Sequence, residues 1–389
     1  MSKSSGYLPT LDGWRGLAVL GVILGHAELV WRGMGVLPPW ARYLINGSST
    51  KGVQLFFAIS GFLITSRLIE EWHSFGRISL KRFYVRRACR ILPPAITYLA
   101  ILGILGMAGI AALPRGSILS CLLFFRNYWS GQCSLTGHFW SLSIEEQFYL
   151  VWPSILVLTG LRRSKYAAAA IILAIVAWRW AAFYHPRARA LLPGSFWGGS
   201  DICFDGLLAG CLVGILLDSQ QLKKLFSKYL SAWVVGAIIL LILATGGRTY
   251  TPGGRTIQSA LMPFLVVATV LNPQTSLGRL LENRSLRWIG RLSYSLYIWQ
   301  EIFLFLGEKQ LAWYPLRLLG LLGVATLSFY FVERPMVKLG YSLAPPPSLG
   351  HADLISKPES RSVAFGFSQS SEGPAQTIPE IPRVPRIAL

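Results

Sequence analysis

Three groups of residues have the types and spacing to do chemistry. The first is Asp12, Arg15 and His26. Arg15 and His26 are eleven residues apart, and at about 100° per residue they return to within about 20° of one direction on a helix. They share a face, separated by roughly 16 Å along its axis. Asp12, three residues before Arg15, is on the same side and can pair with it. An imidazole deep in an apolar helix suits a general base. The plain alternative is a neutral His held by one hydrogen bond.

The second group is Arg86, Arg87 and Arg90, just ahead of Pro93-Pro94. Arg87 and Arg90 are three apart and present two guanidinium forks on one face. Such forks pair bidentately with phosphate, so a multiply phosphorylated ligand fits them. Anchoring on anionic lipid is the competing use, and the better one for Arg77, Lys81 and Arg82. The third group, Glu145 and Glu146, follows His138 in the run HFWSLSIEEQFY at 138–149. Adjacent helix positions point about 100° apart, so only one of the two carboxylates faces a given cavity. Glu145, on a face with Ser141, Phe148 and Tyr149, is the one expected to orient His26 and support its protonated form.

These groups need elements to position them, and composition says which kind. The 389 residues are 53% hydrophobic and 14% charged, with mean hydropathy +0.48. That is too apolar for a soluble surface. A hydrocarbon core of roughly 30 Å needs about 20 mostly apolar residues per helix. Windows at 11–31, 52–69, 91–112, 139–160, 166–184, 202–217, 231–246, 257–271, 289–306 and 313–332 predict an all-α protein of ten transmembrane helices.

Lys and Arg number 37 against 17 Asp and Glu, a net charge of +20. With the basic stretch 67–90 in the cytoplasm, cytoplasmic segments collect 24 basic residues and outward loops 10, and three lie inside spans. This asymmetry predicts both termini in the cytoplasm and no nucleic-acid partner. The first apolar stretch carries Asp12, Arg15, His26 and Glu28, and reads as a retained span, not a cleaved signal. Residues 336–389, rich in Pro, Ser and Gly, read as a disordered cytoplasmic tail.

Weaker signals complete the reading. Ser60-Gly61 suits a packing notch between helices. Arg179 and Asp205 suit a structural pair. Glu333-Arg334 reads as an ion pair anchoring the end of the last span. The five Cys show no CxxC spacing and suggest no metal site, although Cys121 and Cys133 could bridge on an oxidising face. A sequon at Asn46-Gly47-Ser48 says little by itself. Gly-rich phosphate loops, HExxH and GxSxG are absent, which leaves ATP-driven, zincin and hydrolase chemistry without support.

The run LDGWRGLA at 11–18, followed by His26, resembles the opening of the acyltransferase 3 family of integral-membrane acyltransferases. So do FFAISGF at 56–62, RRACRILPP at 86–94, FWSLSIEEQFY at 139–149, GRLSYSLYIW at 290–299 and ERP at 333–335. The resemblance covers residues 7 to about 335 in order. It implies a ten-helix domain over 1–335 that moves an acyl group, commonly acetyl, from acyl-CoA to a hydroxyl of an envelope or secreted carbohydrate. Arg15 and His26 match the family's paired first-span positions, and Arg87 and Arg90 its arginine motif. There is one departure: His is often expected after Trp299, and this chain has Gln300. The soluble hydrolase-like domain of some relatives is also missing, so any partner enzyme is expected to be a separate protein.

The expected mechanism places acyl-CoA phosphates on Arg87 and Arg90, with Arg15 and Asp12 beside them. His26 takes the acceptor hydroxyl proton, Glu145 orients it, and transfer is direct, without a metal. The expected location is the bacterial inner membrane. A transporter or flippase of a lipid-linked sugar uses similar intramembrane charges but leaves its substrate unchanged. A scaffold for envelope assembly would tolerate alanine at His26 and Arg15.

Overall fold

The computed structural model describes residues 7–33, 37–185, 187, 198–246, 251–307 and 313–345. Among these residues the chain is all-helical, with no strand. The principal helices are α1 (Pro9–Gly33), α2 (Ser48–Phe75), α3 (Leu80–Met107), α4 (Phe139–Tyr184), α5 (Ser200–Leu216) and α6 (Gln220–Tyr229). They are followed by α7 (Ala232–Ala244), α8 (Pro252–Leu271), α9 (Arg284–Arg291), α10 (Ser293–Phe305), α11 (Tyr314–Ser328) and α12 (Arg334–Leu343).

Large apolar side chains such as Met107, Leu158 and Trp233 stand almost fully exposed on these helices. In water that surface would be costly; against lipid it is not, and the helices satisfy their own backbone groups. The molecule is a multi-pass membrane protein. Among the described residues five helices are long and apolar enough to cross a bilayer, or six if α5 and α6, bent by 113°, make one span. The ten apolar windows divide the chain more finely than these helices do. The windows at 139–160 and 166–184 lie in the two halves of α4, which Gly160, at φ 70° and ψ 163°, breaks into two helical segments. The helices α7 and α10 have 13 residues each, too few to cross alone.

Helices meet closely where small residues allow it. A side chain at Gly61 would run into the backbone carbonyl of Leu207, so α2 and α5 touch backbone to backbone. Gly61 therefore makes the expected notch by itself, while Ser60 turns towards α4, its hydroxyl 2.8 Å from that of Tyr149. Likewise a Cβ at Gly290 would strike the carbonyl of Asp12, which seats α9 against the start of α1. That contact holds the Asp12–Arg15 turn in place.

At the other end of the chain, α11 passes through a π turn (Phe329–Glu333) into α12. The segment 336–343, read from sequence as the start of a tail, is thus helical. It docks on α3, where Arg86 donates to the Ala344 carbonyl at 2.8 Å and 2.6 Å. Residues 346–389 lie outside the described residues.

Candidate active site

The helices α1, α2, α3, α4 and α10 build two polar clusters, one near Arg15 and one near His26. Along α1 they are separated by eleven residues, roughly 16 Å.

At the arginine end, Asp12 Oδ1 lies 3.7 Å from Arg15 Nη1. The other electrostatic neighbours of Arg15 are Arg90, Arg87 and Tyr149. The guanidinium of Arg87 sits over the Tyr149 ring, 4.1 Å from its centre. Stacking on an aromatic face fixes the plane of the fork and leaves its edge N–H groups available. Glu145 faces Arg87 and Arg15, with the hydroxyls of Ser60 and Tyr149 as hydrogen-bonding neighbours. Glu146 faces Arg87 as well. Five residues singled out from sequence (Asp12, Arg15, Arg87, Arg90 and Glu145) therefore converge from α1, α3 and α4.

Glu333 joins them. It is buried, accepts a hydrogen bond from Ser295 at 2.9 Å, and faces Arg90 and Arg15. Its expected role as a surface anchor paired with Arg334 is corrected: the π turn swings it inward, and a buried carboxylate needs such partners. The three arginines are thus not a bare cationic patch. Asp12 pairs with Arg15, and Glu145, Glu146 and Glu333 add negative charge around the cluster.

At the histidine end, the expected pairing of Glu145 with His26 is also corrected. The groups beside His26 are Glu301, His138 and Gln300. Glu301 is buried, and its Oε2 lies 2.8 Å from His138 Nδ1. Its Oε1 accepts the His138 backbone N–H at 2.9 Å, at the head of α4. The Tyr98 ring packs edge-on against the His138 ring, 5.3 Å between centres. Tyr297 donates to the His138 carbonyl at 3.0 Å and also hydrogen-bonds Ser141. Glu145 stands seven positions after His138, about 10 Å along α4, so it belongs to the other cluster.

His26 and Tyr297 lie on the wall of a cavity of about 550 Å³, lined also by Arg126, Asn127, Trp129 and Trp140. Apolar ring faces mixed with amide and guanidinium donors suit a polyhydroxylated ligand, which presents C–H faces and hydroxyls together. Arg126 also braces this wall, donating to the carbonyls of Cys133 and Trp129 at 3.3 Å and 3.4 Å.

Sequence reasoning did not single out His138 or Glu301 as site residues. A signal was present: Glu301 is a carboxylate within an apolar span, costly unless used. The neighbouring Gln300, standing where His was expected, drew the attention instead. Other expectations resolve simply. Arg179 pairs with Asp205 at 2.6 Å and donates to the Ile202 carbonyl, a buried structural pair. Cys121 and Cys133 are free thiols.

The chain is similar to known proteins over most of its length. The family described as "Acyltransferase domain" matches residues 8–346. The putative peptidoglycan O-acetyltransferase YrhL of Bacillus subtilis is 30% identical over 372 residues, covering 86% of this chain and 56% of the relative. The peptidoglycan O-acetyltransferase OatA of Listeria monocytogenes is 28% identical over 367 residues, with 86% and 56% covered. A putative O-acetyltransferase of Staphylococcus aureus is 29% identical over 373 residues, with 87% and 58% covered. The chain thus spans little more than half the length of the curated relatives it matches. No solved structure matches it.

Proposed function

The chain belongs to the acyltransferase 3 family, and from that premise we propose that it is an acyl-CoA-dependent O-acetyltransferase of a cell-envelope carbohydrate. The relatives' names point to peptidoglycan, or a glycan like it, as the acceptor. The observation that carries the reading is His26 on the wall of a cavity fit for a sugar, with a carboxylate beside the imidazole.

In this reading the donor enters from the cytoplasm at the arginine end. Its phosphates engage Arg87 and Arg90, assisted by Arg15, whose orientation Asp12 supports. The thioester, carried on its long flexible arm, reaches along α1 towards His26. The acceptor occupies the cavity with one hydroxyl at the imidazole. His26 takes the hydroxyl proton as the oxygen attacks the thioester carbonyl; the C–O bond forms, the C–S bond breaks, and the proton passes to the leaving thiolate. Glu145 holds Arg87 and Arg15 in place for the donor.

The same reading carries the topology proposed from basic-residue placement: ten crossings, some by bent or paired short helices, with both termini cytoplasmic in the bacterial cell membrane. The test is mass spectrometry of envelope glycans from cells with and without the protein. A gain of one acetyl unit per modified sugar is expected. Identical spectra, with the protein present in the membrane, contradict the proposal.

A further inference from the structure

Glu301 is a carboxylate buried among apolar and aromatic groups. Such a charge is expensive unless hydrogen bonds or opposite charges offset it. Among the described residues no Lys or Arg lies within 4.0 Å of it, and His138 is its one ion-pair partner. Its two oxygens are both directed at His138, one to the ring Nδ1 and one to the backbone N–H. Two contacts to one residue leave the carboxylate little freedom to rotate. On the other side lies His26: its ring packs against Phe305, one turn beyond Glu301, at 6.0 Å between centres, and Gly137, which abuts the Glu301 carboxylate, lines the same cavity as His26.

The carboxylate is therefore clamped by one imidazole beside another. Its own helix position explains a second observation. Gln300 stands where an imidazole was expected, and an amide carries no charge in either direction. The adjacent residue supplies one instead.

The geometry points to Glu301 as a positioning residue for acyl transfer: His138 holds its carboxylate so that it offsets the positive charge His26 gains when it takes the acceptor proton. This rests on the acyltransferase reading above. The proton moves from the acceptor hydroxyl to His26 and on to the leaving thiolate; Glu301 itself neither gains nor loses one. His138 acts through Glu301: its Nδ1 lies 2.8 Å from Oε2 and its backbone N–H donates to Oε1 at 2.9 Å.

The test uses a bacterial host without its own envelope O-acetyltransferases, expressing the full chain. Base-released acetate on the isolated envelope glycan is measured per membrane-inserted protein. Thermal unfolding of each variant in detergent is measured alongside. Glu301→Gln keeps an acceptor for the His138 N–H but removes the charge. It is expected to lower acetate release at least tenfold with an unchanged unfolding temperature, and Glu301→Asp to restore much of the loss.

Wild-type acetate release by Glu301→Gln would overturn the inference. So would an equal loss in both variants accompanied by a lowered unfolding temperature, which marks a purely structural role. If His26→Ala abolishes release while Glu301→Gln does not, the inference falls and the acyltransferase reading stands. If the wild-type chain adds no acetate at all, both fall together.

Discussion

The guanidinium of Arg87 lies over the ring of Tyr149, 4.1 Å from its centre. The Tyr149 hydroxyl in turn lies 2.8 Å from that of Ser60. An arginine from α3 is thereby packed on α4, whose Tyr149 also reaches Ser60 of α2, and it neighbours Arg15.

Arg87→Ala and Arg90→Ala should each weaken acetyl-CoA binding by about tenfold, the loss of one charge-assisted contact of roughly 1.5 kcal/mol. Arg87→Lys should recover little, because an ammonium neither stacks flat nor pairs bidentately. Equilibrium binding to the purified protein in detergent checks both. Unchanged affinity would return these residues to membrane anchoring.

Backbone contact between α2 and α5 makes Gly61 sensitive. Gly61→Ala places a methyl group against the Leu207 carbonyl and should cost about 1–3 kcal/mol as the helices separate. Gly236→Ala, where a Cβ would meet nothing within 4 Å, should be neutral or slightly stabilising. Thermal unfolding of the two variants in detergent separates these outcomes.

The pair Arg179–Asp205 is buried and needs both members. Asp205→Asn alone leaves a guanidinium without its counter-charge and should destabilise by about 3–5 kcal/mol. Replacing both with Met and Leu should be milder than the single change. A double variant no better than Asp205→Asn would show that the pair does more than hold α4 to α5.

What sequence could establish followed the reach of helical periodicity. Spacing put Arg15 and His26 on one face, and Arg87 beside Arg90, because those relations lie within a single helix. It could not say at which end of the bundle a residue on another helix would arrive. Glu145 was therefore matched with the wrong partner: the direction of α4 carries it to the arginine end and leaves His138 at the histidine end. The contact between His138 and Glu301, 163 positions apart, exists only through packing. Glu333 was misread for a related reason, since a π turn shifts the face that follows it. Apolar windows also do not register helix form: neither a break such as Gly160 nor a helix as short as α7 or α10.

In the proposed reaction His26 is the base at the acceptor cavity. The most direct measurement is base-released acetate on the envelope glycan from cells expressing wild-type protein or His26→Ala, each confirmed as folded and inserted in the membrane. The account predicts acetate with the wild type and a loss of at least a hundredfold with His26→Ala, in line with removal of a general base. Wild-type acetate levels from His26→Ala would contradict it.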